Sequence, residues 1–234
     1  MTTESLTNPY ESIGELHNQS LDYIISSLSA SPTVNEILDL TASFVCINND
    51  GITSPTIWQK ANYKSMGAYS LNAYLCNDIN RNPSSNKSSL AYLYNKISIT
   101  IMNSVSRNDV RNNLELLEID LIKSDYSYEV LQPALIAIAV GKHSADYWNY
   151  QIDNISTSPW ATYLHSNFPD LESGAREIID ADIEAFLVTA LVPVISPGVD
   201  GTNTITYILV TALVTGVVAS AVKVIMGWVK GIFA

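Results

Sequence analysis

Gly201-Thr-Asn-Thr-Ile-Thr-Tyr-Ile-Leu-Val-Thr-Ala-Leu-Val-Thr-Gly-Val-Val-Ala-Ser-Ala-Val222 is a run of 22 residues without a charged side chain. Coiled as a helix it is about 33 Å long, near the hydrocarbon thickness of a bilayer. A helix that is apolar on all sides belongs either in the centre of a bundle or in a membrane. Upstream, Ala185-Phe-Leu-Val-Thr-Ala-Leu-Val-Pro-Val-Ile195 forms a second apolar arm. The stretch between the arms, Ser196-Pro-Gly-Val-Asp-Gly-Thr-Asn-Thr204, is rich in turn formers. The two arms read as a helical hairpin, and they are unequal. The first, taken from Ile183 to Val199, contains Glu184 and is broken by Pro193 and Pro197, so it would span a bilayer poorly alone.

The flanks of the longer arm fit a membrane reading. Tyr207 and Trp228 lie near its two ends, where interfacial aromatics sit. Lys223 and Lys230 are at one end only, with stems long enough to snorkel. Ala212, Gly216 and Ser220 recur every four residues, and Gly227 and Gly231 frame a GxxxG. Small residues at that spacing let helices approach closely. These positions are the candidate insertion or packing residues. Just ahead of the hairpin, between Asp170 and Glu184, six acids accompany one base, Arg176. Glu177, Asp180, Asp182 and Glu184 read as an acidic gate. Ionised, they resist entry into lipid; protonated, or paired with Lys223 and Lys230, they permit it.

The rest of the chain reads as helices. Asn8-Pro9-Tyr10-Glu11 offers an N-cap, a proline at the first helical position and a glutamate two residues on. Tyr10, Ile13, Leu16, Leu21, Ile24, Ile25 and Leu28 follow with helical period. Ser31-Pro32 or Thr33 starts a second helix over Val34, Ile37, Leu38, Phe44 and Val45, and Asn48-Asn49-Asp50-Gly51 stops it. Ser54-Pro55 starts a third, with Ile57, Ala61, Ala68, Leu71, Leu75 and Ile79 on one face. A fourth uses Leu90, Leu93, Ile97 and Ile101, and a fifth, after Ser106, uses Val110, Leu114, Leu117 and Leu121. A sixth begins near Ser127, with Pro133 either kinking or opening it. Its run Ala134–Val140 is apolar all round and predicts the central core helix. A short seventh follows Ser158-Pro159.

The 234 residues carry a net charge of −11, and only 15% are charged. Residues 1–59 hold seven acids and no lysine or arginine. An acidic body argues against nucleic acid as the partner, which needs a basic face. Met1-Thr-Thr-Glu-Ser5 has no basic n-region, so the chain reads as made in the cytoplasm without a Sec signal and bound for a membrane, or the exterior, by another route. Cys46 and Cys76 fit no metal or redox spacing. Two buried thiols are the favoured reading and a disulfide the alternative.

No catalytic constellation stands out, so the chain reads as non-enzymatic with no cofactor and no metal. Glu15-Leu16-His17 lacks the second histidine of a zincin. His143 and Asp146 lie one turn apart, a spacing that usually means a structural hydrogen bond. Tyr147-Trp148-Asn149-Tyr150, with Trp160 and Tyr163, reads as packing at a bundle end rather than as a binding surface.

Two stretches, Asn8-Pro-Tyr-Glu-Ser-Ile-Gly-Glu-Leu-His-Asn-Gln-Ser-Leu-Asp-Tyr23 and Ala137-Ile-Ala-Val-Gly-Lys-His-Ser-Ala-Asp-Tyr-Trp148, resemble a loose group of uncharacterised bacterial helical proteins. Members often end in apolar tails rich in small residues. The resemblance implies no catalytic residues and points to bacteriocin-like or envelope-directed proteins. The layout is also similar to pore-forming colicin domains, helical bundles that hide a hydrophobic hairpin. That likeness is architectural.

The sequence therefore predicts an all-α bundle of about eight to nine helices. Residues 1–170 form an acidic bundle. Residues 171–234 form an acidic lead-in helix and a hydrophobic hairpin, packed on that bundle or inserted from it. Two functions follow. One is a membrane-active protein, bacteriocin-like or pore-forming, whose partner is a lipid bilayer. The other is a soluble structural or assembly-forming protein, a homo-oligomer included, whose hairpin is buried core or subunit interface.

Overall fold

The computed structural model describes residues 7–50, 54, 56, 59–61, 63–65, 85–191 and 204–227, with side chains placed over 7–48, 54, 56, 59–61, 63–65, 89–185 and 213–227. Among the described residues there are helices and no strand. Helix α1 spans Glu11–Ser27 and α2 spans Val34–Asp50. Helix α3 spans Ser85–Met102 and α4 spans Asp109–Ile122. Helix α5, at 26 residues, spans Tyr128–Asp153, and α6 spans Ala161–Asn167. Helix α7 spans Leu171–Leu191 and α8 spans Thr204–Met226. The third helix expected from Ser54-Pro55 falls largely outside the described residues, as does Cys76. Cys46 is buried, its Sγ 3.5 Å from the Gln59 carbonyl oxygen.

The starts of these helices show how the caps work. Thr33 is the cap of α2: its Oγ1 accepts the Glu36 N–H at 3.2 Å. The Glu36 carboxylate reaches back to the Ser29 N–H and hydroxyl at 2.7 and 2.8 Å. Ser106 and Asp109 close the start of α4, the Asp109 carboxylate accepting from the Ser106 N–H at 3.1 Å. At α1 the expected N-cap is displaced. The helix starts at Glu11, and Asn8 Oδ1 accepts the Tyr10 N–H in a lead-in turn at 3.0 Å. The reason is that Asn8 is buried and its amide nitrogen is drawn inward, to Glu118 and the Leu135 carbonyl. Pro133 neither opens α5 nor precedes it; it sits in the second turn.

Two helices are enclosed. All of Ala134–Val140 in α5 is 5% exposed or less, as its apolar run predicts. From Leu213 to Val222 every residue of α8 is buried. Helix α5 packs against α1, α3, α4 and α7, and α8 packs against α1, α2, α6 and α7. Helices α1 and α7 thus wall both buried helices. A single hydrophobic cluster takes Leu21, Ile37, Leu93, Leu114, Ile136, Ile179, Val214 and Val222 together, so the core runs across the boundary at residue 170. Acidic lead-in and first apolar arm are one continuous helix, α7, over its described length.

Helix directions follow from paired residues. Asn8 meets Leu135 and Asp22 meets Tyr147, so α1 and α5 run parallel. Glu177 meets Lys223, and the Asp182 carbonyl lies beside Gly216, so α7 and α8 run antiparallel.

Candidate functional site

The two stretches that carry the resemblance pack on each other. Along the α1–α5 seam much of the contact is polar. At its lower end Lys142, 3% exposed, donates to Glu118 Oε2 at 2.7 Å and to Glu11. Glu118, itself 6% exposed, also accepts from Asn8 Nδ2 at 2.5 Å. His143 Nε2 lies 2.9 Å from the second Glu11 oxygen. Asp146, one turn on from His143, turns instead to Arg111, so those two do not share a partner. At the upper end the Tyr147 hydroxyl donates to Asp22 at 2.8 Å and accepts from Trp160 Nε1 at 2.8 Å. Trp148 and Trp160 are fully buried, their rings 5.3 Å apart. The aromatic segment is therefore packing, with Tyr150 left exposed.

Between these ends α1 comes down closely on α5. A Cβ at Gly14 would lie 2.4 Å from His143 Cδ2 and 2.7 Å from the Ala139 carbonyl oxygen. Only a glycine lets the helices approach that far. Next along α1, His17 Nε2 stands 3.3 Å from Asp182 Oδ1 of α7, and both side chains are 0% exposed. Asp182 Oδ2 accepts from Ser144 of α5 at 2.5 Å. Neither His17 Nε2 nor Asp182 Oδ1 makes a hydrogen bond, and the buried Ser20 and Ser220 hydroxyls are also unbonded. The 3.3 Å approach is an ion-pair contact without hydrogen-bond alignment.

Charge shifts follow this geometry. Burial pushes Glu11 up, but the Lys142 ammonium and His143 outweigh it and hold the carboxyl below its ordinary value. A carboxylate stabilised in the fold contributes stability above its unfolded pKa and loses it as pH falls through the folded one. Glu11→Gln is therefore expected to lose less stability near pH 3 than near pH 7 relative to the parent chain, flattening the acid limb of a urea-midpoint profile. An acid limb of unchanged steepness would remove Glu11 from that role.

The acids expected to form a gate point to different partners. Glu177 pairs with Lys223 of α8 at 3.4 Å. Asp182 faces inward to His17. Asp180 and Glu184 stand beside Tyr94 of α3, whose phenol is pushed up first by burial and then by those two carboxylates. Gly216 sits opposite His17 and the Asp182 carbonyl, with Ser220 buried one turn on. Gly227, at φ 69°, closes α8 in the left-handed region, and Asn167 Nδ2 caps the helix end by donating to the Val224 and Ile225 carbonyls at 2.8 and 3.2 Å. The small-residue spacing that starts at Gly227 thus falls at a helix stop. The side chains of Tyr207 and Ala212, and all of Trp228, Lys230 and Gly231, lie outside the described residues.

Ser144, Asp182 and His17 do not form a nucleophilic triad. The carboxylate lies between serine and imidazole, so no base touches the hydroxyl, and all three are shut off from solvent. Among the described residues no group of three or more histidine, cysteine or acidic side chains is placed to hold a metal ion. Sequence reading missed this seam, although one signal was present. His17 occupies the apolar register of Ile13, Leu21 and Ile24, and Gly141-Lys-His-Ser144 interrupts the apolar run of α5.

Fold and seam together define an all-α bundle built round an apolar helix. No protein-family model, no curated protein and no solved structure matches the chain.

Proposed function

We propose that this chain is a non-enzymatic, membrane-active protein that stores an apolar helix as its own core and delivers the α7–α8 hairpin to a lipid bilayer. The observation that supports it most is the state of α8. From Leu213 to Val222 it carries no charged side chain and is wholly buried, and the helix packs against α1, α2, α6 and α7. Its sheath carries two fully buried ionisable groups, His17 and Asp182, where a permanent core would use aliphatic ones. A bacteriocin-like or pore-forming action is the finer form of this reading and follows from the resemblance and the colicin-type layout.

The alternative is a structural or assembly-forming protein in which the hairpin stays buried or meets a second subunit. One observation favours it. Among the described residues no helix is long and apolar enough to cross a membrane; in α8 the placed side chains run from Leu213 to Gly227 and include Lys223.

A crosslink separates the two. A Cβ built on Gly227 lies 3.8 Å from Asn167 Cβ, at the mean disulfide separation of about 3.8 Å. In a chain with Cys46→Ala and Cys76→Ala, the pair Asn167→Cys and Gly227→Cys ties the end of α8 to α6. The reduced protein is expected to release dye from anionic vesicles and the oxidised protein to retain it, with release restored by a thiol. Equal release from both forms, or none from the parent chain at any pH, overturns the membrane reading.

A further inference from the structure

The hydrogen bonds round His17 fix where its protons lie. Asn18 Nδ2 donates to the His143 carbonyl at 2.9 Å, which turns Asn18 Oδ1 toward His17 Nδ1 at 3.1 Å. An amide oxygen only accepts, so Nδ1 carries a hydrogen. Were the ring neutral, Nε2 would then present a lone pair to Asp182 Oδ1, 3.3 Å away. Two acceptors facing each other in a fully buried site are repulsive. Protonating both nitrogens turns the contact into an ion pair.

We propose that His17 and Asp182 form a charge latch on α8: the protonated pair clamps α1 to α7 across one face of the apolar helix, and loss of the His17 proton loosens the clamp. Helix α8 meets the pair at Gly216, whose Cβ would sit 3.5 Å from the Asp182 carbonyl and 3.6 Å from His17 Cδ2. Among the described residues no other charged group intrudes. On α5, Ser144 faces Asp182, while Lys142 and His143 are engaged by Glu118 and Glu11. On α7, Asp180 and Glu184 face Tyr94, and Glu177 pairs with Lys223 of α8. On α2, Asp39 is held by Lys60 and Lys64, and Glu36 by Ser29. Between Leu213 and Val222, α8 has no charged residue.

The sign follows. Burial pulls His17 down, and the Asp182 carboxylate with Asn18 carries it back above its ordinary value. A group with a raised folded pKa stabilises fully below its unfolded pKa and loses that effect as pH rises through the folded one. The latch is therefore closed on the acid side and opens on the alkaline side. It rests on the membrane reading only for its use, and its test needs no lipid.

Two measurements on the full-length chain decide it. Side-chain nitrogen NMR should show His17 protonated on both ring nitrogens near pH 6. Amide-exchange protection over Val214–Val222 should fall between about pH 6 and about pH 9, on the alkaline side of the ordinary histidine pKa, and fall less in α4. In His17→Gln, which can donate to Asp182 without titrating, the drop specific to α8 should vanish; in His143→Gln it should persist. A neutral His17 near pH 6, or an unchanged α8 drop in His17→Gln, overturns the latch. Should His17→Gln fail to fold, the ring titration of the parent chain decides by itself. Dye release without this pH profile removes the latch and keeps the membrane reading; the profile without dye release does the reverse.

Discussion

Replacing Lys142 with methionine is expected to lower the unfolding free energy by roughly 3–5 kcal/mol, the usual consequence of removing one partner of a buried ion pair. Lys142 and Glu118 are 3% and 6% exposed, so water cannot take over the lost interaction. The single change leaves the Glu118 carboxylate with only the Asn8 amide, and Glu11 with only His143. For a chain of this length the melting temperature should drop by roughly 6–20 °C. Adding Glu118→Gln should recover much of the loss, because a glutamine oxygen still accepts from Asn8 while the stranded charge is gone. The double-mutant cycle is expected to give a coupling of roughly 0.5–3 kcal/mol, near the upper end. A Lys142→Met chain that melts like its parent would mean that the seam is an ordinary hydrogen-bonded contact rather than a buried ion pair.

Much of the fold was legible because it depends on local period. Leu90, Leu93, Ile97 and Ile101 recur at helical spacing, and all four are buried. Val110, Leu114, Leu117 and Leu121 behave the same way. The α1 cap was misplaced because the competing partner of Asn8, Glu118, is 110 residues away, and no local rule can weigh such a contact. The seam was hidden for the same reason. His17 was read against metal motifs, and Asp182 as one acid in a run. At about 100° per residue, Asp182 is turned away from the stripe that Glu177, Asp180 and Glu184 share. It reaches α1, while Glu177 meets Lys223 of α8 and Asp180 and Glu184 stand beside Tyr94 of α3.

The two halves of the seam respond to pH in opposite directions. Glu11 loses its stabilising charge on the acid side, and His17 loses its charge on the alkaline side. Together they confine the closed seam to an intermediate window. The acidic run alone implies that entry into lipid is favoured as pH falls. The His17–Asp182 pair acts against that, because acid keeps His17 charged and the pair closed. Any acid-driven opening must therefore come from the lower end, through Glu11 and its partners.

Ending the chain at residue 203 is expected to leave no folded body. Helix α8 is packed on four others, α1, α2, α6 and α7. Between Leu213 and Ile225 it buries Leu213, Val214, Val217, Val218, Val222, Val224 and Ile225. At about 1.5–3 kcal/mol for each buried aliphatic side chain, the loss exceeds roughly 10 kcal/mol. That is comparable with the whole net stability of a domain, about 5–15 kcal/mol. The truncation also exposes His17 and Asp182 to water on the α8 side and removes the partner of Glu177. Circular dichroism should show reduced helix content and no cooperative melt. A truncated chain that keeps native helicity and melts sharply would show that the bundle closes without α8, and that the helix is an appendage rather than its core. The expected collapse has a consequence for function. A chain without α8 would fail to release dye whether α8 is a membrane arm or a structural core, so deletion cannot separate those roles. The Asn167→Cys and Gly227→Cys crosslink can, because the reduced and oxidised forms of that one variant share the same core side chains, the same loss of the Asn167 cap and the same strain at position 227, and differ in whether α8 is free to leave.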